Sequence, residues 1–117
     1  MSNNIILDKT YSFAVLMVKR SQKLVSEKKE YVLSKQILRS GTSVGANTEE
    51  AIGGISKKDF IAKLSIAYKE ARETKYWLRI LKDTGYISEN EFQKYFIDVE
   101  EILKILYAII NSSRSNL

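Results

Sequence analysis

Glu70 and Glu73, three residues apart, and the pair Glu49-Glu50 some twenty residues earlier are the side chains best suited by type to do chemistry. Carboxylates that face each other across helices can hold a di-metal centre in company with Glu-x-x-His motifs, or act as acid and base in glycoside cleavage. The chain contains no histidine and no cysteine. Neither Asn47-Thr48-Glu49-Glu50 nor Glu70-Ala71-Arg72-Glu73 therefore supplies the missing nitrogen ligand. The usual proton shuttle near neutral pH, a thiol nucleophile, a sulfur-ligated metal and a disulfide are excluded as well. An oxygen-only site for a hard cation such as Ca²⁺ stays open. The stronger reading is a structural polar network in which Ser43, Asn47, Glu50, Glu70 and Glu73 hydrogen-bond across packed helices. No catalytic residue, no metal and no cofactor are expected, and the protein is read as not an enzyme.

Charge offers a second kind of chemistry. The net charge is +5, and residues 1–48 hold all of it, with eight Lys/Arg against three acids, while residues 49–117 balance at eleven of each. Lys19, Arg20 and Lys23, then Lys28 and Lys29, then Lys35 and Arg39 would form one basic surface able to contact phosphates without reading bases. A solvated helix face is the plain alternative. Charge of one sign gathered in one half of a chain also suits acid-to-base docking between subunits.

The elements that must position these residues are helices. Of 117 residues none is proline and five are glycine, a composition suited to a few long helices with short connections. Apolar side chains recur at three- and four-residue steps in four segments, predicting helices over about 8–28, 31–52, 57–84 and 89–112. In the first, Leu7, Tyr11, Ala14, Val15, Val18 and Val25 read as the core stripe, leaving Phe13, Met17 and Leu24 as a second stripe for a neighbouring subunit. Gly53-Gly54 would close the second helix in a left-handed turn. Ser56 and Ser88 read as N-caps, the latter in a capping box with Glu91. The third segment carries the cleanest seam: Phe60, Leu64, Ala67, Ala71, Thr74, Leu78 and Leu81. Four helices of matched length with short loops predict an all-α, up-down-up-down antiparallel four-helix bundle in a single domain, 1–117.

Between Ser40 and Thr48 nearly every side chain is small, and Gly41 and Gly45 each cost a helix interior about 1 kcal/mol relative to alanine. Another backbone approaching closely would repay that cost. Gly41 and Gly45 are thus read as a helix-packing or oligomer interface, with a ligand groove as the alternative. The longest apolar run, Phe13 to Val18, is six residues, far short of a membrane span. Met1-Ser2-Asn3-Asn4 has none of the features of a secretory signal, and a cytoplasmic location is expected.

The stretch from Leu33 to Ala51, with Arg39-Ser40, Ser43, Ala46-Asn47 and Glu50 in register, resembles the bacterial four-helix bundle proteins encoded in intervening sequences of ribosomal RNA genes. Lys58-Asp59-Phe60, Glu70-Ala71-Arg72-Glu73 and Leu81-Lys82-Asp83-Thr84-Gly85-Tyr86 fit the same pattern. The resemblance implies a barrel-like homopentamer with no attached enzyme chemistry. A related branch, the accessory protein of diversity-generating retroelements, is a basic pentamer that binds nucleic acid and a reverse transcriptase. The expected partners are accordingly further copies of the chain, a nucleic acid (RNA before DNA) held by Lys19, Arg20, Lys23, Lys28, Lys29, Lys35 and Arg39, or instead a partner protein recruited by the ring without nucleic-acid contact. No membrane is expected.

Overall fold

Apolar stripes of the kind traced above give each segment one face to bury, and burying four such faces together makes the core. The structure, a computed structural model, describes the backbone of residues 2–116 and the side chains of residues 5–116. It contains α1 (Ser2–Lys28), α2 (Leu33–Ile52), α3 (Lys57–Asp83) and α4 (Glu89–Ser115). They form a rod of 47 × 21 × 21 Å. Cross-contacts fix the directions. Gly41 meets Met17 while Gly45 meets Thr10, Arg39 reaches Glu70 while Glu50 reaches Lys63, Lys75 pairs with Glu100 while Lys82 approaches Glu89, and Lys9 pairs with Glu101 while Arg20 pairs with Glu91. In every pair one number rises as the other falls, so each helix is antiparallel to its neighbours. The contacts run α1–α2, α2–α3, α3–α4 and α4–α1, and α1 and α4 pack least closely.

The core stripe of α3 is Ile61, Leu64, Ala67, Ala71, Thr74, Leu78 and Leu81; Phe60, expected to open it, is half-buried beside it. The stripe of α1 reverses the expectation. Ile6, Phe13, Met17 and Leu24 are buried in the subunit's own core, so Phe13, Met17 and Leu24 are not available to a neighbour. Tyr11 is 67% exposed and Val25 37%, with Leu7, Ala14 and Val18 half-buried. The reason lies across the contact. Gly41 leaves the space that the near end of the Met17 side chain occupies, because an added Cβ would stand 2.4 Å from Met17 Cγ. At Gly45 an added Cβ would stand 3.2 Å from the Thr10 carbonyl oxygen. The two glycines therefore set the roll of α1 and turn Met17 inward.

Helix ends follow their caps. Ser56 accepts from the Asp59 amide at 3.0 Å. Ser88 and Glu91 form the reciprocal capping box. Glu30 opens α2 by accepting from the amides of Val32, Leu33 and Ser34, which places the helix start at Leu33 and not Tyr31. Gly85, at φ 83°, closes α3: Tyr86 donates to the Leu81 carbonyl at 2.9 Å and Gly85 to Lys82 at 3.1 Å, the paired bonds of a Schellman turn. Gly53 does not take the expected left-handed turn. Its φ is −85°, and its amide simply bonds the Glu49 carbonyl at 3.2 Å.

Candidate nucleic-acid interface and assembly face

The seven basic residues expected to form one surface divide into two groups. Arg20 is buried to 9% exposure between α1 and α4. Its Nε donates to the Tyr95 hydroxyl at 2.9 Å and its Nη2 to Glu91 at 2.7 Å. Burial opposes the charge, but Tyr95 and Glu91 outweigh it and hold the guanidinium above its ordinary pKa. Glu91 is held below the usual glutamate value, first by the Ser88 amide and, against partial burial, by Arg20. Arg39 is bound to α3 through Glu70, at 3.0 Å, and Glu73. Arg20 is thus an internal tie, whereas the Arg39 side chain stays 51% exposed with its charge already paired to carboxylates. Lys19, Lys23, Lys28, Lys29 and Lys35 are exposed. None of the five is in an ion pair among the described residues. They run along the second half of α1, round the corner and into the first turn of α2.

The expected polar network resolves into separate local ties. Asn47 donates to the Ser43 carbonyl and hydroxyl, both at 2.9 Å. Glu50 pairs with Lys63 at 2.9 Å. Glu70 and Glu73 share Arg39, and Glu73 also accepts from the Trp77 indole at 2.9 Å. The buried bond across the α2–α3 seam is one the spacing did not single out: Thr74 donates to the Ser40 hydroxyl at 2.8 Å. Both residues lie on the inward stripes, and a hydroxyl on each was the available signal. Among the described residues no group of three or more carboxylates is gathered closely enough to hold a metal ion.

The displaced apolar stripe of α1 borders α2. Tyr11, Ala14, Thr42, Gly45, Ala46 and Glu49 line a groove of about 340 Å³, and Leu38 is 39% exposed on the same side of α2. Gly45 thus serves two purposes, admitting Thr10 from inside and flooring an outward groove. No described helix is long and apolar enough to cross a membrane.

The chain matches a known family model. The model described as 23S rRNA-intervening sequence protein matches residues 2–108. The chain belongs to that family. A crystal structure of a protein of unknown function from the S23 ribosomal protein family, from Bacteroides thetaiotaomicron VPI-5482, is 50% identical. The match covers 95% of this chain and 99% of that one, with a TM-score of 0.93. No curated protein matches the chain. The four-helix bundle implied by the resemblance is therefore the family's fold in this member too.

Proposed function

We propose that this family member is a non-enzymatic bundle that self-associates through the outer α1–α2 groove and holds nucleic acid, RNA before DNA, on its lysines. The carrying observation is the set of five exposed lysines without carboxylate partners among the described residues, Lys19, Lys23, Lys28, Lys29 and Lys35. Unpaired lysines on a helix surface contact phosphates as point charges and release counterions. Arrangement along one run of chain suits a backbone in any sequence. In a symmetric assembly, pentameric by resemblance, each copy would repeat the cluster.

The groove lined by Tyr11, Ala14 and Ala46 supports the assembly half of the reading, since an apolar face rimmed by polar side chains marks an interface. The same groove also suits the second reading, a scaffold that recruits a partner protein. The two are separated by the untreated purified protein. Nucleic acid copurifying with it, seen as a raised 260/280 nm absorbance ratio, favours the first. Replacing the five lysines with glutamine should weaken binding of a labelled RNA to all sequences alike, and unchanged affinity in that variant would reject the lysine surface.

A further inference from the structure

Residues 49–117 balance in charge, yet their charges are not balanced in space. Glu70 and Glu73 turn toward α2, where Arg39 holds them. Glu50 holds Lys63, and Glu91 turns toward α1 and Arg20. What remains on the outer ridge of α3 is Lys69, Arg72, Tyr76 and Arg79, at steps of three, four and three, all exposed. Lys104 and Tyr107, three apart and exposed, continue the surface on α4. Lys69, Arg72, Arg79 and Lys104 make no ion pair among the described residues.

Aromatic rings lie among these cations. Tyr76 is 51% exposed and Tyr107 57%. Each is steadied by a second ring: Tyr76 stands edge-on to Trp77 at 5.1 Å, and Tyr107 lies 6.1 Å from Tyr68. Because Tyr107 is level with Tyr68, eight residues from Tyr76 on α3, the two exposed rings are about 12 Å apart along the bundle axis. Two adjoining surface grooves of about 500 and 510 Å³ share Arg72 and Lys75 between these rings; Glu100 also lines the first and Glu73 the second, each already paired, with Lys75 and with Arg39.

We propose that the outer face of α3 and α4 is a second nucleic-acid surface, one that takes single strands. Tyr76 and Tyr107 stack on unpaired bases while Lys69, Arg72, Arg79 and Lys104 track the phosphates. Free cations interleaved with exposed rings are the combination that single-strand binding requires, because each base has a face to stack and each phosphate a charge to neutralise. A duplex hides its base faces and gains only the charge. An acidic protein segment likewise gains only the charge. The surface also stays open in an assembly built through the α1–α2 groove, since α3–α4 is the opposite edge of the bundle. It goes beyond the α1–α2 lysines, and either surface can bind without the other.

The test is fluorescence anisotropy at low salt with a labelled uridylate strand of about twenty nucleotides, the equivalent duplex RNA, and polyglutamate as a charge-only competitor. Y76A/Y107A should lose single-strand affinity by about fivefold or more per ring and duplex affinity by less than about twofold, with Y76F/Y107F restoring it. Trp77, the sole tryptophan, should change emission as the strand saturates. Y76A/Y107A binding the strand as wild type does, unaltered Trp77 emission at saturation, or polyglutamate competing as well as the strand would each overturn the proposal. If the glutamine variant of the five α1–α2 lysines abolishes all binding while Y76A/Y107A does not, this proposal alone falls. If neither strand nor duplex binds wild type, both readings fall.

Discussion

Arg20 on α1 and Glu91 on α4 meet at 2.7 Å, and through that pair the capping box of α4 is tied to the core of α1. Glu91 serves both sides: it accepts from the Ser88 amide at 2.8 Å and from the Arg20 guanidinium. The side chain of Arg20 is 10% exposed and that of Glu91 40%, so the arginine is the member that loses most without its partner. This pair closes the α1–α4 edge, where packing is loosest.

Glu91→Gln should therefore destabilise the protein by about 1–2 kcal/mol at pH 7, a value kept low by the exposure of the carboxylate. The folded-state pKa of Glu91 is depressed, so its contribution is present above the ordinary carboxylate range and is lost as pH falls through the folded value. Urea denaturation of wild type and variant should differ at pH 7 and converge toward pH 3. A constant difference across that range would contradict the assignment.

Asp98 carries the opposite sign. Burial first, and Glu101 second, hold its carboxyl above the ordinary aspartate value, with Lys9 opposing. A raised acid pKa costs stability once the group ionises, so Asp98→Asn should raise the melting temperature by about 2 °C at pH 7. The gain should vanish below the ordinary aspartate range, where both side chains are neutral. Calorimetry at the two pH values decides it.

The small residues of α2 make graded predictions. Gly41→Ala places a Cβ 2.4 Å from Met17 Cγ and 2.7 Å from its Cβ. These atoms are the near end of the side chain and cannot swing away. The overpacking cost of about 1–3 kcal/mol should exceed the gain of about 1 kcal/mol from helix propensity. Gly45→Ala meets the Thr10 carbonyl oxygen at 3.2 Å, its carbonyl carbon at 3.4 Å and its Cβ at 3.7 Å, a milder crowding that the gain in helix propensity should roughly offset. Equal melting shifts in the two variants would show that the α1–α2 contact is looser than described.

Much of the bundle was legible in the residue pattern, and the failures have a common cause. The seam of α3 could be read because its apolar side chains lie on one side only. On α1 they lie on two sides, and period alone gives two rotations of the helix. What selects between them is a contact with residues some thirty positions away: Gly41 and Gly45 admit Met17 and Thr10, a fact no local pattern holds. The basic surface was over-counted for the same reason. Counting charge assigns Arg20 and Arg39 to a patch, whereas packing sets them against Glu91, Glu70 and Glu73. The same pairing leaves cations on α3 that a balanced count conceals.

The outer groove makes a separate prediction about assembly. Tyr11→Glu and Ala46→Glu place carboxylates on an exposed apolar face, beside Glu49, without entering the core. Light scattering should give a multimeric mass for wild type and a monomer for the double variant, with helicity unchanged. A monomeric wild type at concentrations of about 100 μM would remove the groove from the account.

The salt dependence of RNA binding bears most directly on the central claim. Five lysines contacting a single strand predict log affinity falling against log salt with a slope of about −3.5, and of about −2 if only three engage. The glutamine variant of Lys19, Lys23, Lys28, Lys29 and Lys35 should make the slope shallower by about that amount whatever the RNA sequence, any remainder belonging to the α3–α4 cations. A flat titration between low and moderate salt, or no complex at any salt, would contradict it.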